Sequence, residues 1–182
     1  MNGSSRSLKL PDGARPFTKK DADSFELASR VVALCVLLHY RGSMFTVENP
    51  SDSMLWSSSP FCLLKQVVDT SEVVFDQCQF GLRPPGGSQI EYIRKRTRLL
   101  SNRGSVVRLA RQCPGCGPEH QHVRALGTRK VQTKEGPVSL SVAAWAGRYP
   151  LRLCDAWARV VEREIGFGAK SGVHVPSGGR RA

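Results

Sequence analysis

The segment Cys113-Pro114-Gly115-Cys116-Gly117-Pro118-Glu119-His120-Gln121-His122 holds four side chains that bind transition metals. Two thiols flanking Pro-Gly sit on a tight turn that can aim both sulfurs at one point. His120 and His122, one residue apart in extended backbone, point to the same side. Thiolate and imidazole in a set of four is the chemistry of a tetrahedral zinc site. Two features depart from the common finger pattern. Paired finger histidines are separated by roughly three to five residues, and ten residues are few for closing four ligands round one ion. A more workable set takes Cys113 or both cysteines, one or both histidines, and Cys154 from the following helix. The competing reading is a turn with two thiols and two histidines lying near phosphate.

The surrounding stretch is strongly basic. Between Arg83 and Lys130 there are nine Arg and two Lys against only Glu91 and Glu119. The whole chain of 182 residues carries +12, with a pI near 10.0. Such a balance speaks of partners, phosphate-rich ones or an acidic membrane surface, rather than of fold. Arginine suits bidentate phosphate and base contacts. A solvated basic face is the plainer reading and stays open beside a nucleic-acid surface. Tyr92 is the only aromatic between Arg83 and Lys130, so a dedicated single-strand stacking platform is not expected.

Six cysteines are too few for a disulfide scaffold of this size. The apolar run from Val31 to Leu38 is too short to span a bilayer, which needs about 20 residues, and no signal peptide is visible. The expectation is a nuclear or cytoplasmic protein without membrane partners, with free thiols or a metal site.

The elements that must position these residues follow from periodicity. Residues 1–20 read as a disordered basic arm, 21–165 as a partial α/β domain and 166–182 as a flexible tail. Asp21 to Tyr40 reads as a helix, with Asp21, Asp23 and Ser24 as cap candidates and Gly42 as its stop. Leu27, Leu34 and Leu37 widen its apolar face, which predicts deep packing. Met44 to Val47 reads as a strand closed by Pro50. Ser51, Asp52 and Ser53 can cap a short turn towards Trp56. A second helix follows Pro60, and Glu72 to Phe75 is a second strand. Ile90 to Leu100 reads as extended, and Ser105 to about Gln112 as a short helix. Val138 to Glu164 reads as helix broken at Tyr149-Pro150. Helix, strand, helix, strand predicts an α/β sheet layered with helices, with fewer strands than a complete doubly wound domain.

Several pieces recur in an order that resembles a known family. They are Phe45-Thr46-Val47-Glu48-Asn49-Pro50 with Ser53-Met54-Leu55-Trp56, and Asp76-Gln77-Cys78-Gln79-Phe80-Gly81. Then come Arg94-Lys95-Arg96-Thr97-Arg98-Leu99-Leu100-Ser101-Asn102, Cys113 or Cys116 with His120-Gln121-His122, and Tyr149-Pro150 with Leu153-Cys154. Together, over about residues 45–158, they resemble the cytosine-5 methyltransferase-like domains of phages and retroelement polyproteins. The resemblance implies a partial Rossmann-like, methyltransferase-type sheet with flanking helices. It casts Glu48 as the acid that contacts the cytosine ring, here vestigial. It casts Arg94, Arg96 and Arg98 as the segment that positions the reacting groups, although the family's Gln does not align.

The departures shape the functional expectation. The family's nucleophile is a Cys after Pro, upstream of the Glu segment. Here the only upstream cysteine is Cys35, which follows Leu34 on an apolar helix face and reads as a buried core thiol. No Phe-x-Gly-x-Gly turn precedes Glu48, so S-adenosylmethionine is not expected. The chain looks like the back half of such a domain: degenerate or truncated, inactive, and touching nucleic acid, DNA first, through Arg94, Arg96, Arg98 and Arg103. Its missing N-terminal half, or neighbouring polyprotein domains, would be further partners. The alternative is a non-catalytic zinc- and nucleic-acid-binding module of a mobile-element protein. A third reading is a basic fragment that binds nothing specifically.

Overall fold

The computed structural model describes residues 5–170, the last four by backbone alone. Four helices and seven short strands form a mixed α/β fold. Helix α1 spans Lys19–Tyr40. It starts two residues before the expected Asp21, because the Thr18 hydroxyl accepts from the Asp21 N–H at 3.2 Å and supplies the cap. Asp21 is itself fully buried and accepts from the Thr18 and Ser5 hydroxyls, each at 2.7 Å. The helix ends where Gly42 takes φ +72°, a left-handed conformation that costs glycine little.

Strand β1 is Thr46–Pro50, α2 is Ser59–Val67 and β2 is Ser71–Asp76. The stretch expected to run extended from Ile90 to Leu100 is divided into β3, Glu91–Ile93, and β4, Arg96–Ser101. These belong to different sheets. β4 is the middle strand of a three-stranded sheet ordered β1-β4-β2, antiparallel to both neighbours. β1 and β2 therefore run parallel to each other, joined by α2, with β4 inserted between them. This is a split β-α-β arrangement. A Rossmann-type sheet is built from adjacent parallel strands, and the described residues contain no such sheet.

The two faces of this sheet carry separate cores. Leu100 faces α1 and α2 and packs with Ala28, Val32, Cys35, Phe45, Trp56, Phe61 and Leu64. Leu99, one residue earlier, faces the opposite side with Val73, Phe75, Phe80, Val106, Leu109, Leu153 and Val160. That alternation is the period-two geometry of a strand buried on both faces. Cys35 is buried at 4% exposure, as its place on the apolar face predicts. Leu27, Leu34 and Leu37 are not: they remain 65%, 55% and 51% exposed. One side of α1 meets the sheet and α2, and no described element covers the other, so the deep packing expected of this helix does not occur.

A 3-10 turn at Gly104–Leu109 replaces the expected helix after Ser105. Downstream, β5 is Gln121–Val123, β6 is Thr128–Thr133 and β7 is Gly136–Ser141. α3 is Val142–Ala146 and α4 is Leu151–Lys170. The helix expected from Val138 thus begins as a strand, because Gly136, at φ +118°, turns the chain back on β6. β6 and β7 form an antiparallel ribbon, and β3 pairs with β5 in parallel. The break at Tyr149-Pro150 falls where the sequence places it.

Part of the segment read as a disordered arm makes contacts here. Arg6 pairs with Asp21. The Asp12 carboxylate accepts the Ser59 N–H at 3.0 Å and the Ser59 hydroxyl. It thereby caps α2, whose own Ser58 makes no side-chain cap bond. Residues 166–170 continue α4; the rest of the expected tail, 171–182, and residues 1–4 of the arm lie outside the described residues.

Candidate metal centre

Cys78, Cys113, His120 and His122 converge so that one ligand atom from each lies within 4.8 Å of all the others. Cys113 Sγ stands 3.5 Å from His120 Nε2 and 3.4 Å from His122 Nε2, and the two Nε2 atoms are 3.0 Å apart. A tetrahedron with metal–sulfur bonds of about 2.3 Å and metal–nitrogen bonds of about 2.0–2.1 Å has S···N edges of roughly 3.5 Å and N···N edges of roughly 3.3 Å. The observed spacings are close to those edges. These four side chains could hold a metal ion.

Each ligand is delivered by a different piece of chain. Cys78 lies in the 3-10 turn that follows β2, and Gln77 beside it is anchored by Nε2 donating to Thr97 Oγ1 at 2.9 Å. Asp76, the last residue of β2, brings in the second cysteine. Its backbone N–H donates to Arg111 O at 2.9 Å, and its carboxylate accepts the Cys113 N–H at 2.9 Å and Arg94 Nε at 3.4 Å. Gly115, at φ +124°, allows the tight turn after Cys113. A bridge between Gly117 and His120, then the β3–β5 pairing, sets the two imidazoles. The Tyr92 ring stacks on His120 with centroids 4.1 Å apart at 14°.

The protonation chemistry suits a cation. Burial, with Cys113 and Asp76 beside it, pushes the Cys78 thiol up to about 12. A coordinated divalent cation inverts that balance by holding the thiolate directly. Burial, His120 and Arg94 together hold His122 below the ordinary histidine range, in the neutral form that ligates metals.

The set differs from the one the sequence suggests. Cys113, His120 and His122 are in it. Cys116 is exposed and touches His122 from the far side: its sulfur is 3.5 Å from Nδ1 and accepts the His122 N–H at 3.4 Å. It orients that imidazole, as partners of ligating histidines do. Cys154 is exposed on α4 and is not part of the cluster. Cys78 takes the fourth place. Its only sequence signal is its position two residues after Asp76 at a strand end, 35 positions ahead of Cys113.

The arginines nominated for nucleic acid are mostly occupied. Arg94 pairs with Asp76, Arg98 with Glu72 and Arg103 with Glu164. Arg96 is exposed and has no acidic partner among the described residues. Glu48 projects from β1 on the Leu99 face and accepts the Tyr149 hydroxyl at 2.6 Å through Oε2. Its Oε1 is buried with no hydrogen-bond partner among the described residues. Burial, then the bond to Glu48, raises the Tyr149 hydroxyl above the usual tyrosine range.

No protein-family model matches this chain, and neither a curated protein nor a solved structure matches it.

Proposed function

We propose that this chain is a non-catalytic nucleic-acid-binding module whose basic half is organised by a zinc ion on Cys78, Cys113, His120 and His122. The convergence of those four ligand atoms within 4.8 Å of one another, with Cys113, His120 and His122 near tetrahedral edge lengths, carries the reading. Two thiolates and two imidazoles favour zinc over the oxygen-seeking magnesium or calcium. The net charge of +12 supports a polyanionic partner. The test is metal analysis of the purified chain, followed by anisotropy titration of labelled DNA at several salt concentrations. One zinc per chain, and affinity falling by about 0.7–0.9 log units per log unit of salt for each phosphate contacted, is the expected result. A fully folded, metal-free protein overturns the zinc half; affinity independent of salt overturns the other.

A second reading, a methyltransferase-like remnant, is supported by Glu48. Tyr149 holds one carboxylate oxygen, and the other is left with accepting capacity that the exocyclic amino N–H of cytosine would satisfy, where thymine presents a carbonyl oxygen. On this reading a strand with one unpaired cytosine binds more tightly than the same strand with thymine there, and Glu48→Ala removes the difference. Equal binding of the two strands by the unaltered chain sinks it.

A further inference from the structure

Four of the cations that no acid engages lie together on a face the sequence does not single out. Among the described residues, Arg83, Lys95, Arg148 and Arg152 have no ion-pair partner, in contrast to Arg94, Arg98, Arg103 and Arg129. Three of them line two adjoining clefts. One, of about 330 Å³, lies between the 81–86 loop, Val131 of β6 and the α3–α4 turn, and is walled by Arg83, Trp145, Arg148 and Tyr149. The other, of about 350 Å³, shares Gly81, Arg83 and Pro150 with the first and adds Tyr92 and Arg152. They make one trough that passes Arg83.

Aromatic rings are interleaved with these cations and are held in place. Trp145 Nε1 donates to Arg83 O at 3.0 Å, which fixes the indole against the loop. The Arg148 guanidinium lies 4.5 Å from the Trp145 ring centre. Arg83 lies 4.7 Å from the centre of Tyr92, whose other neighbour is His120 of the metal centre. Lys95 stands 5.4 Å from the Tyr149 ring. Of the acids next to residues at the trough, Glu91 is paired with Arg129, and Glu48 is half-buried and accepts the Tyr149 hydroxyl through one oxygen. Guanidinium groups next to fixed rings offer phosphate contacts and stacking planes at alternate positions, the pattern that single strands require.

We propose that this trough binds single-stranded nucleic acid, with phosphates on Arg83, Arg148 and Arg152 and bases against Trp145 and Tyr149. The proposal rests on the nucleic-acid reading above and names its site. A duplex buries its base faces in its own stack, so it can use only the cations.

The experiment compares a fluorescein-labelled 15-nucleotide oligothymidine with a 15-base-pair duplex on the full, zinc-loaded chain. The variants are R148A/R152A, W145F, and R41A, at the exposed end of α1, as a surface control. Arg148 and Arg152 are exposed and pair with no acid, so a thermal melt should show R148A/R152A folded. We expect the oligothymidine to bind more tightly than the duplex. R148A/R152A should weaken it by at least about tenfold and reduce the salt slope by about 1.4, two contacts at roughly 0.7 each. Oligothymidine should quench tryptophan fluorescence in the unaltered chain and much less in W145F. Unchanged affinity and slope in R148A/R152A overturns the trough while leaving nucleic-acid binding intact. A duplex bound as tightly as the single strand, with the double variant weakening both equally, overturns single-strand recognition. No binding to either probe defeats the broader reading as well.

Discussion

Cys78 and Cys116 stand in opposite relation to the metal centre. Cys78 is buried and points its sulfur into the cluster, whereas Cys116 lies outside it and meets the far ring nitrogen and the backbone N–H of His122. Cys78→Ser should therefore abolish stoichiometric zinc, and Cys116→Ser should retain one zinc with affinity lowered by about 10–100-fold, the usual cost of losing a partner of a ligating histidine. Metal analysis after dialysis against a competing chelator reads both; loss of zinc only in the Cys116 variant would reinstate the ligand set that sequence spacing favours. A second residue-scale expectation concerns Glu91. Bidentate contact with Arg129, at 2.8 and 2.9 Å, and the Ser88 N–H at 2.9 Å pull its carboxyl down to about 2. A carboxyl depressed on folding adds stability above its unfolded value near 4.5. That contribution fades as pH falls from there through about 2. Carbon-detected titration by NMR should show Glu91 still ionised at pH 3.5, and a midpoint near 4.5 would mean that the Arg129 contact does not persist in solution.

At the scale of elements, two of the three sheets depend on different forces. β1-β4-β2 is held by apolar side chains on both faces and keeps its core without any ligand. β3 and β5 pair over only three residues each, in the parallel sense, and so short a two-stranded sheet is marginal alone. His122 of β5, His120 just before it and the Tyr92 ring of β3 meet at the candidate metal centre, so metal-binding energy there would be folding energy for this pair. Chelation should speed amide exchange at Ile93 and Gln121, which donate to Leu82 O and Ile90 O, while the amides of Phe75 and Leu99 stay protected. Uniform acceleration across both sheets would mean that the metal supports the whole fold.

For the whole molecule, the linkage is one of mass action. A ligand that binds only the folded chain stabilises it by about 2.7 kcal/mol at a hundred times its dissociation constant. The melting temperature should therefore rise with buffered free zinc in the unaltered chain and not in Cys78→Ser. A melt insensitive to zinc in both chains would show that the four ligands bind no zinc strong enough to matter to folding.

Several features are legible in the residues alone because they depend on near neighbours. The periodicity of α1, the two strands either side of α2, the break at Pro150 and three of the four cluster residues are of this kind. The ribbon of β6 and β7 was hidden, because its polar strands carry little apolar alternation and its turn rests on Gly136 in a backbone state no pattern announces. Charge shows a similar division. Composition determines that the chain is a polycation, but only the packing decides that Arg94, Arg98 and Arg103 meet acids while Arg83, Arg148 and Arg152 do not. The same holds for stacking: Tyr92 is alone in its stretch of sequence, yet Trp145 and Tyr149 close on Arg83 in space. The fourth cluster residue is the clearest case. A Cys-x-x-Cys turn proposes its own two sulfurs, and the only sulfur the sequence reading adds to them is Cys154, which lies outside the cluster. Cys78 replaces Cys116 because Asp76 joins the end of β2 to the chain at Arg111 and Cys113, a contact across 37 positions that exists only once the sheet is formed.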